Sequence, residues 1–261
     1  MEIIDALVLG LVQGLTEFIP VSSSGHLVIL DAFTPIRSEF DFDVLINIGT
    51  LVALILYFRL TIGEIITHIT RERDYKLLRN IILSTIPAVI VGGLWSGYLE
   101  NIRVGEVTIA MLLFVGLIMV ILPKIKLPEQ YSKTSDLPYI RAIWIGCAQA
   151  IALIPGTSRS GATIIAGRLA GFSYKRAAEY SFIIAIPVLF GAIMRTLLTM
   201  EGQTFVLNNL TPLILGNIVA FASSYFAINF MIGYLQNKGL AIFGWYRIAL
   251  ALMLILVIIV K

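Results

Sequence analysis

The sequence predicts an all-α polytopic membrane protein with an inverted-topology repeat. Each half is a re-entrant helix hairpin followed by three transmembrane helices, six full spans and two broken hairpins in all. Three observations predict this. The 261 residues are 58% hydrophobic and only 13% charged, with a mean hydropathy of +0.93, too apolar for a soluble domain of ordinary composition. Two apolar segments are interrupted by short runs of Pro, Gly and hydroxyl residues, at Pro20 to His26 and at Pro155 to Thr163. The residues around the two breaks also correspond. Gly10, Gln13, Ser22, Ser24 and Gly25 recur as Gly146, Gln149, Ser158, Ser160 and Gly161, all at the spacing that takes Gln13 to Gln149.

Ile3 to Phe18 reads as helix, and Leu27 to Phe33 resumes the apolar run after the first break. At about 1.5 Å per residue, a half of about 12 to 16 residues covers roughly 20 Å of a hydrocarbon core near 30 Å, so a re-entrant hairpin is expected rather than two full spans. A charged loop with Arg37, Glu39 and Asp41 leads to a short span, Val44 to Phe58, containing Asn47. Arg59 to Arg79 reads as a solvated polar loop, and its His68 is assigned no role. Spans follow at about Asn80 to Leu99 and Val107 to Leu122, separated by Glu100, Arg103 and Glu106. The Lys-, Pro- and Ser-containing stretch at about 124–138 joins two halves of a single membrane domain: repeat 1 over about 1–123 and repeat 2 over about 139–261. Repeat 2 opens with Ala142 to Ile154, breaks, and continues through Ala166 into a loop around Lys175 and Arg176. Spans at about Tyr180 to Leu198, Leu213 to Leu235 and Phe243 to Val260 complete it. Three spans per half is an odd number, so the halves are inverted and their hairpins meet near the midplane.

A net charge of +3 is weak evidence for nucleic acid, and the basic residues cluster in loops beside apolar spans. No nucleic-acid partner is expected. Thirteen of the 19 Lys and Arg fall on the side of the loops after spans one, three and five, against four (Arg37, Arg103, Arg195, Lys261) on the other. Positive charge marks the cytoplasm, so both termini are expected outside a cell membrane crossed several times. The acidic start Met1-Glu2-Ile3-Ile4-Asp5 resembles no removable signal peptide. Cys147 is the sole cysteine, which excludes an intrachain disulfide and a cysteine-rich metal site.

The polar residues at the breaks are the candidates for chemistry. Arg159 lies among Thr157, Ser158, Ser160 and Thr163 at hydrocarbon depth, where a fixed cation is paired or holds an anion. Pro155 and Gly156 stop one helix and Ser158 or Ser160 caps the next, so free N–H groups, those of Ser160 and Gly161 among them, face the gap and form a phosphate site. The competing reading is an Arg159 that snorkels while the hydroxyls only cap helices. In the first break, Gln13 and Glu17 share a helical face that points toward Ser22, Ser23, Ser24, Gly25 and His26. A buried Glu17 needs a partner, which Arg159, His26 or a divalent cation could supply. Gln13 and Glu17 together suit Mg²⁺ or Ca²⁺, although helix-to-helix hydrogen bonding would use the same pair.

A hydroxyl, an imidazole and a carboxylate within reach of one phosphate-binding Arg are the parts phosphoryl transfer requires. The rival from another class is a secondary transporter or lipid flippase with a midplane anion site, since broken helices in inverted repeats are a transporter plan. A purely structural scaffold leaves the buried Arg and Glu unexplained. Arg195 and Arg247 sit toward span ends, where snorkelling is the default, and Arg247 beside Trp245 and Tyr246 is also placed to touch a lipid headgroup.

The motifs Gln13-x-x-x-Glu17, Pro20-Val21-Ser22-Ser23-Ser24-Gly25-His26 and Pro155-Gly156-x-Ser158-Arg159-Ser160-Gly161-Ala162-Thr163 resemble those of the undecaprenyl-diphosphate phosphatase, or bacitracin-resistance, family. The likeness extends over essentially the whole chain in length, span order and repeat. It implies hydrolysis of undecaprenyl diphosphate to the monophosphate and inorganic phosphate, which recycles the lipid carrier for peptidoglycan and other cell-wall glycans and confers bacitracin resistance. It further implies two re-entrant hairpins, a divalent cation, a site open to the outer face, a polyprenyl diphosphate and membrane lipids as partners, and a homodimer as an admissible assembly. Glu17, Ser23, His26 and Arg159 fall on the family's key positions, with Ser158, Ser160 and Thr163 around the phosphate. Gln13 departs from the acidic residue expected first in the Glu-rich motif, which removes one charge from the metal site.

Overall fold

The computed structural model describes residues 1–34, 36, 39–101 and 105–260, with the backbone alone at 28, 31–33, 95–101 and 257–260. Arg37, Arg103 and Lys261, counted above for orientation, lie outside the described residues, as does the side chain of Glu100. The described chain is helical throughout, with no strand. In chain order the helices are α1 (Ile3–Phe18), α2 (Ser23–Phe33), α3 (Phe40–Leu45), α4 (Asn47–Tyr57), α5 (Arg59–Thr67), α6 (Lys76–Asn101) and α7 (Glu106–Ile121). They continue with α8 (Tyr139–Ile151), α9 (Arg159–Leu169), α10 (Tyr174–Leu198), α11 (Met200–Asn208), α12 (Leu210–Asn237) and α13 (Ala241–Val260).

Among the described residues, five segments are long and apolar enough to cross a membrane: Phe40–Tyr57, Lys76–Leu94, Glu106–Lys124, Tyr174–Leu198 and Leu210–Asn237. The sixth expected span corresponds to α13, whose described apolar stretch, Ala241–Leu256, is shorter. Leu94 is 75% exposed, Phe226 64% and Leu256 63%. Large apolar side chains this bare in the middle of long helices need a lipid environment. The chain is a multi-pass membrane protein.

Local chemistry sets the element ends. Pro20 forces the residue before it out of the helical region, so Ile19 is extended and α1 stops there. Ser173 caps α10 by accepting from the Arg176 N–H, and Thr199 caps α11 by accepting from Gly202. Pro87 and Pro187 lie inside α6 and α10, where each removes one intrahelical donor.

Three expectations are corrected. Arg59 to Arg79 is not a loop: α5, a π-helical turn at His68–Glu72 and the start of α6 occupy most of it. The run Arg59-Leu60-Thr61-Ile62-Gly63-Glu64-Ile65-Ile66 alternates polar and apolar residues at helical spacing on a surface helix, a pattern that charge density hides. Lys175 and Arg176 belong to the first turn of α10 rather than to a loop, because Ser173 starts that helix earlier. Between α10 and α12 the short helix α11 intervenes.

The packing is reciprocal. Helix α1 lies along α12 and α8 lies along α6, while α7 pairs with α13 and α4 packs on both α12 and α10. Small residues set the closest approaches. A Cβ at Gly10 would meet the carbonyl of Gly216, and one at Gly146 would meet the backbone of Ser84. Gly63 has open space around it. Gly10→Ala should therefore lower the melting temperature in detergent, by overpacking of about 1–3 kcal/mol. Gly63→Ala should hold or raise it, since a helical Gly costs about 1 kcal/mol relative to Ala. Equal effects in a thermal unfolding assay would contradict this packing.

Candidate active site

The two broken hairpins carry the same local device. Ser22 and Ser158, the N-caps of α2 and α9, both sit at positive φ, 76° and 68°, a region that L-residues enter only under constraint. Each hydroxyl accepts from the amide three residues on, Gly25 N–H at 3.4 Å and Gly161 N–H at 3.3 Å. Each also meets the hydroxyl two residues on, Ser24 at 3.0 Å and Ser160 at 3.3 Å. The N–H groups of Gly25 and Gly161 are thus engaged in capping, so the expected free amide at Gly161 is not free.

Three bridges join the hairpins. Arg159 donates from Nη2 to Glu17 Oε1 at 2.9 Å and from Nη1 to the Ser181 carbonyl at 3.3 Å. The Gly156 N–H donates to Ser24 Oγ at 3.0 Å. The third is Arg247, which is 0% exposed. Its guanidinium donates to the carbonyls of Pro20 in the first turn, Gly156 in the second and Met111 on α7. Arg247 therefore does not snorkel and touches no headgroup: it is a tie between the turns. Its position within an apolar helix was the available signal, since a cation there must find acceptors.

Around the ion pair lies a cavity of about 490 Å³ whose wall includes Thr16, Glu17, Ser22, Ser23, Ser24, Ser158, Arg159 and, on α10, Arg195. Glu17 and Arg159 are only 11% and 13% exposed, which strengthens the pull of Arg159 on an anion. Ser22 and Ser24 are engaged in the turn bonds above, whereas Ser23 Oγ has no hydrogen-bond partner among the described residues. It is the free hydroxyl of the three. Thr163 and Ser160 are buried beneath the motif, and the Thr163 hydroxyl bonds the Arg159 carbonyl at 2.8 Å and Ser181 Oγ at 2.5 Å. They shape the turn from behind and do not face the cavity.

His26 is outside that wall. Its Nδ1 lies 2.8 Å from the Ser22 carbonyl and its Nε2 2.7 Å from the Tyr246 hydroxyl, with the two rings stacked at 5.6 Å. A carbonyl can only accept, so Nδ1 carries the hydrogen and the neutral ring's Nε2 accepts from Tyr246. Gln13 stands behind Glu17. Its Nε2 donates to Glu17 Oε2 and to Asn47 Oδ1, both at 2.9 Å. A carboxylate attracts the amide N–H, so Gln13 turns its nitrogen, not its oxygen, toward the expected metal position. No cluster of three or more His, Cys, Asp or Glu suited to a metal exists among the described residues. Glu17 is the wall's one carboxylate. Mg²⁺ commonly takes one or two carboxylates and completes its shell with substrate phosphate and water, so Glu17 fits a cation that arrives with a diphosphate. Asn47, Ser181 and Tyr246 had no local signal, since each matters through a partner on another helix.

Fold and site together define a polytopic helical membrane protein with a hydroxyl-lined cavity around a buried ion pair between two broken hairpins. The profile of bacitracin resistance protein BacA matches residues 6–253, and the chain belongs to that family. It is 34% identical to undecaprenyl-diphosphatase 1 of Burkholderia lata, over 98% of this chain and 95% of that protein. Undecaprenyl-diphosphatases of Lactiplantibacillus plantarum (36% identical, 98% and 97% covered) and Desulfitobacterium hafniense (37%, 98% and 96%) are similar over the same extent.

The tie through Arg247 is testable. Arg247→Met leaves the Pro20 and Gly156 carbonyls without this donor, and each buried unmet acceptor costs about 1–3 kcal/mol. A lower melting temperature is expected, with partial recovery in Arg247→Lys, which can still reach one carbonyl. Wild-type stability in Arg247→Met would refute the tie.

Proposed function

We propose that this chain hydrolyses undecaprenyl diphosphate to undecaprenyl phosphate and inorganic phosphate in the cell membrane, recycling the lipid carrier for cell-wall glycan synthesis. The observation that carries the reading is the Glu17–Arg159 pair at 2.9 Å, formed between the two hairpins in a cavity lined by serine hydroxyls. The names of the similar proteins over nearly the whole chain support the substrate.

Of the five N–H donors of Arg159, two are used by Glu17 and Ser181. The remaining edge can take the terminal phosphate and stabilise the charge that develops as the P–O–P bond opens. Ser23, the unengaged hydroxyl, presents the attacking oxygen, its own or that of a water it holds, to the terminal phosphorus; where its own oxygen attacks, water then cleaves the resulting phosphoserine and releases inorganic phosphate. Undecaprenyl phosphate is the leaving group. His26 lies three residues beyond Ser23 on α2 and so on a neighbouring face. It receives the proton at Nε2 once that nitrogen is released from Tyr246, and Nδ1–H on the Ser22 carbonyl keeps the ring aligned. Ser24 and Ser158 on the wall complete the diphosphate site, while Ser22, Gly25, Ser160, Gly161 and Thr163 hold the two turns. Glu17 already balances Arg159, and although Arg195 is a second cation on the wall, an incoming diphosphate brings more negative charge than that single group offsets. A divalent cation on Glu17, with the oxygen of a reoriented Gln13, would supply that missing positive charge.

The same reading makes the fold an inverted repeat of about 1–123 and 139–261 with both hairpins re-entrant and both termini outside. Support comes from the paired left-handed serine caps and from the exchange in which α1 lies on α12 while α8 lies on α6. It comes also from the lengths of the hairpin arms, 16 and 11 residues in the first and 13 and 11 in the second, each short of a full span.

Phosphate release from undecaprenyl diphosphate in detergent, where no gradient exists, separates hydrolysis from transport. Release is expected, with loss on chelation and recovery on adding Mg²⁺ or Ca²⁺. Arg159→Ala should cost about 3–4 kcal/mol of transition-state stabilisation, a fall in kcat of roughly 10²–10³. Near-normal turnover in that variant would exclude this anion site.

A further inference from the structure

Resting on the phosphatase reading, we propose that the polyprenyl tail of the substrate leaves the polar cavity through a glycine-walled gap between α6 and α10 and lies in an apolar groove that these two helices form with α4 and α5.

The groove is a second cavity, of about 550 Å³, lined on α6 by Ile82, Ile86 and Ile90 and on α10 by Pro187 and Phe190. Its wall is apolar except for Thr85, and the Thr85 hydroxyl is committed to the Ile81 carbonyl at 2.8 Å. It therefore presents no polar group to an occupant, which restricts the ligand to hydrocarbon. The groove and the polar cavity share Val89.

Close to Val89 in sequence, the wall of the polar cavity is nearly bare backbone. Gly92 and Gly93 on α6 and Gly191 and Ala192 on α10 line the polar cavity. Among the described residues, a Cβ at Gly93 or Gly191 would meet nothing, and one at Gly92 would meet only Leu153 Cδ1 at 3.6 Å. Glycines whose side-chain space is empty do not serve close helix packing, unlike Gly10 or Gly146. They leave room for something to pass. Along α6 the groove wall runs from Leu78 to Val89 and Ile90, roughly 18 Å at 1.5 Å per residue, more than half the hydrocarbon thickness. A diphosphate held at Arg159 with its chain turned through this gap would keep the charge on the hydroxyls and the isoprenes on isoleucine.

Ile90→Trp fills the groove beside the gap and Ile86→Trp fills it further along, and both residues line the groove without lining the polar cavity. Since Ile90 is 54% and Ile86 43% exposed, both variants should keep the wild-type melting temperature. The measurement is kcat/KM over a series of dimethylallyl, farnesyl and undecaprenyl diphosphates in detergent, or the inhibition constant of any short chain that is not turned over. Wild type should gain efficiency with chain length. Both variants should lose about tenfold or more on undecaprenyl diphosphate, equivalent to about 1.4 kcal/mol, and less than about twofold on dimethylallyl diphosphate. Equal losses at every chain length, or no loss with undecaprenyl diphosphate, would overturn the groove assignment and leave ordinary membrane lipid as its occupant. Failure of the wild type to release phosphate from any member of the series would instead overturn the phosphatase reading itself.

Discussion

The constraint on which the rest depends is the meeting of one buried cation with one buried carboxylate contributed by separate hairpins. Neither Arg159 nor Glu17 could remain charged alone in so apolar an environment at a tolerable cost. Their contact at 2.9 Å requires the two turns to approach until the backbone of one hydrogen-bonds the side chain of the other, as Gly156 does with Ser24. Arg247, buried behind them, holds the carbonyls of both turns on one guanidinium. Its role differs from that of Arg159: all three of its acceptors are backbone carbonyls, whereas Arg159 borders the cavity and keeps donors to spare.

This arrangement divides chemically similar groups into different tasks. Ser22, Ser23 and Ser24 are consecutive, yet one caps a helix, one links hairpins and one keeps its hydroxyl free, because the left-handed backbone at Ser22 sends the three side chains in different directions. The equivalent turn at Ser158 repeats the cap and adds the cation. Two related turns thus make a cavity wall with unlike halves, one carrying the carboxylate and the alcohol, the other the cationic guanidinium. His26, parked on Tyr246, lies on α2 beside the wall residues Ser23 and Ser24 but outside the wall itself, and connects the first hairpin to α13.

Glycine serves opposite purposes on the two kinds of helix contact. At Gly10 and Gly146 its missing side chain lets backbones touch, which draws the hairpin arms onto α12 and α6. At Gly93 and Gly191 the same absence leaves space at the cavity wall. The difference decides whether a helix pair is sealed or open to lipid, and the composition of the chain cannot express it.

Membrane character and the two polar interruptions, with Glu17 and Arg159 as buried charges in need of partners, were legible in the sequence because a bilayer penalises polar residues so strongly that their presence is itself a signal, whereas Ser23 was singled out from its neighbours only by the family resemblance. The span limits at α4, α7 and α12 followed from apolar length for the same reason. The helix α5 escaped because its charge resembled a loop, and α11 because nine residues carry little periodicity. Tertiary structure alone decided that Arg247 is interior rather than snorkelling, that His26 faces Tyr246, that Gln13 offers nitrogen rather than oxygen to Glu17, and that Gly191 opens onto space. Each of those outcomes depends on a partner far along the chain, up to 227 residues for Arg247 and Pro20. Local sequence shows which groups must be satisfied, and only the packing of distant helices determines what satisfies them.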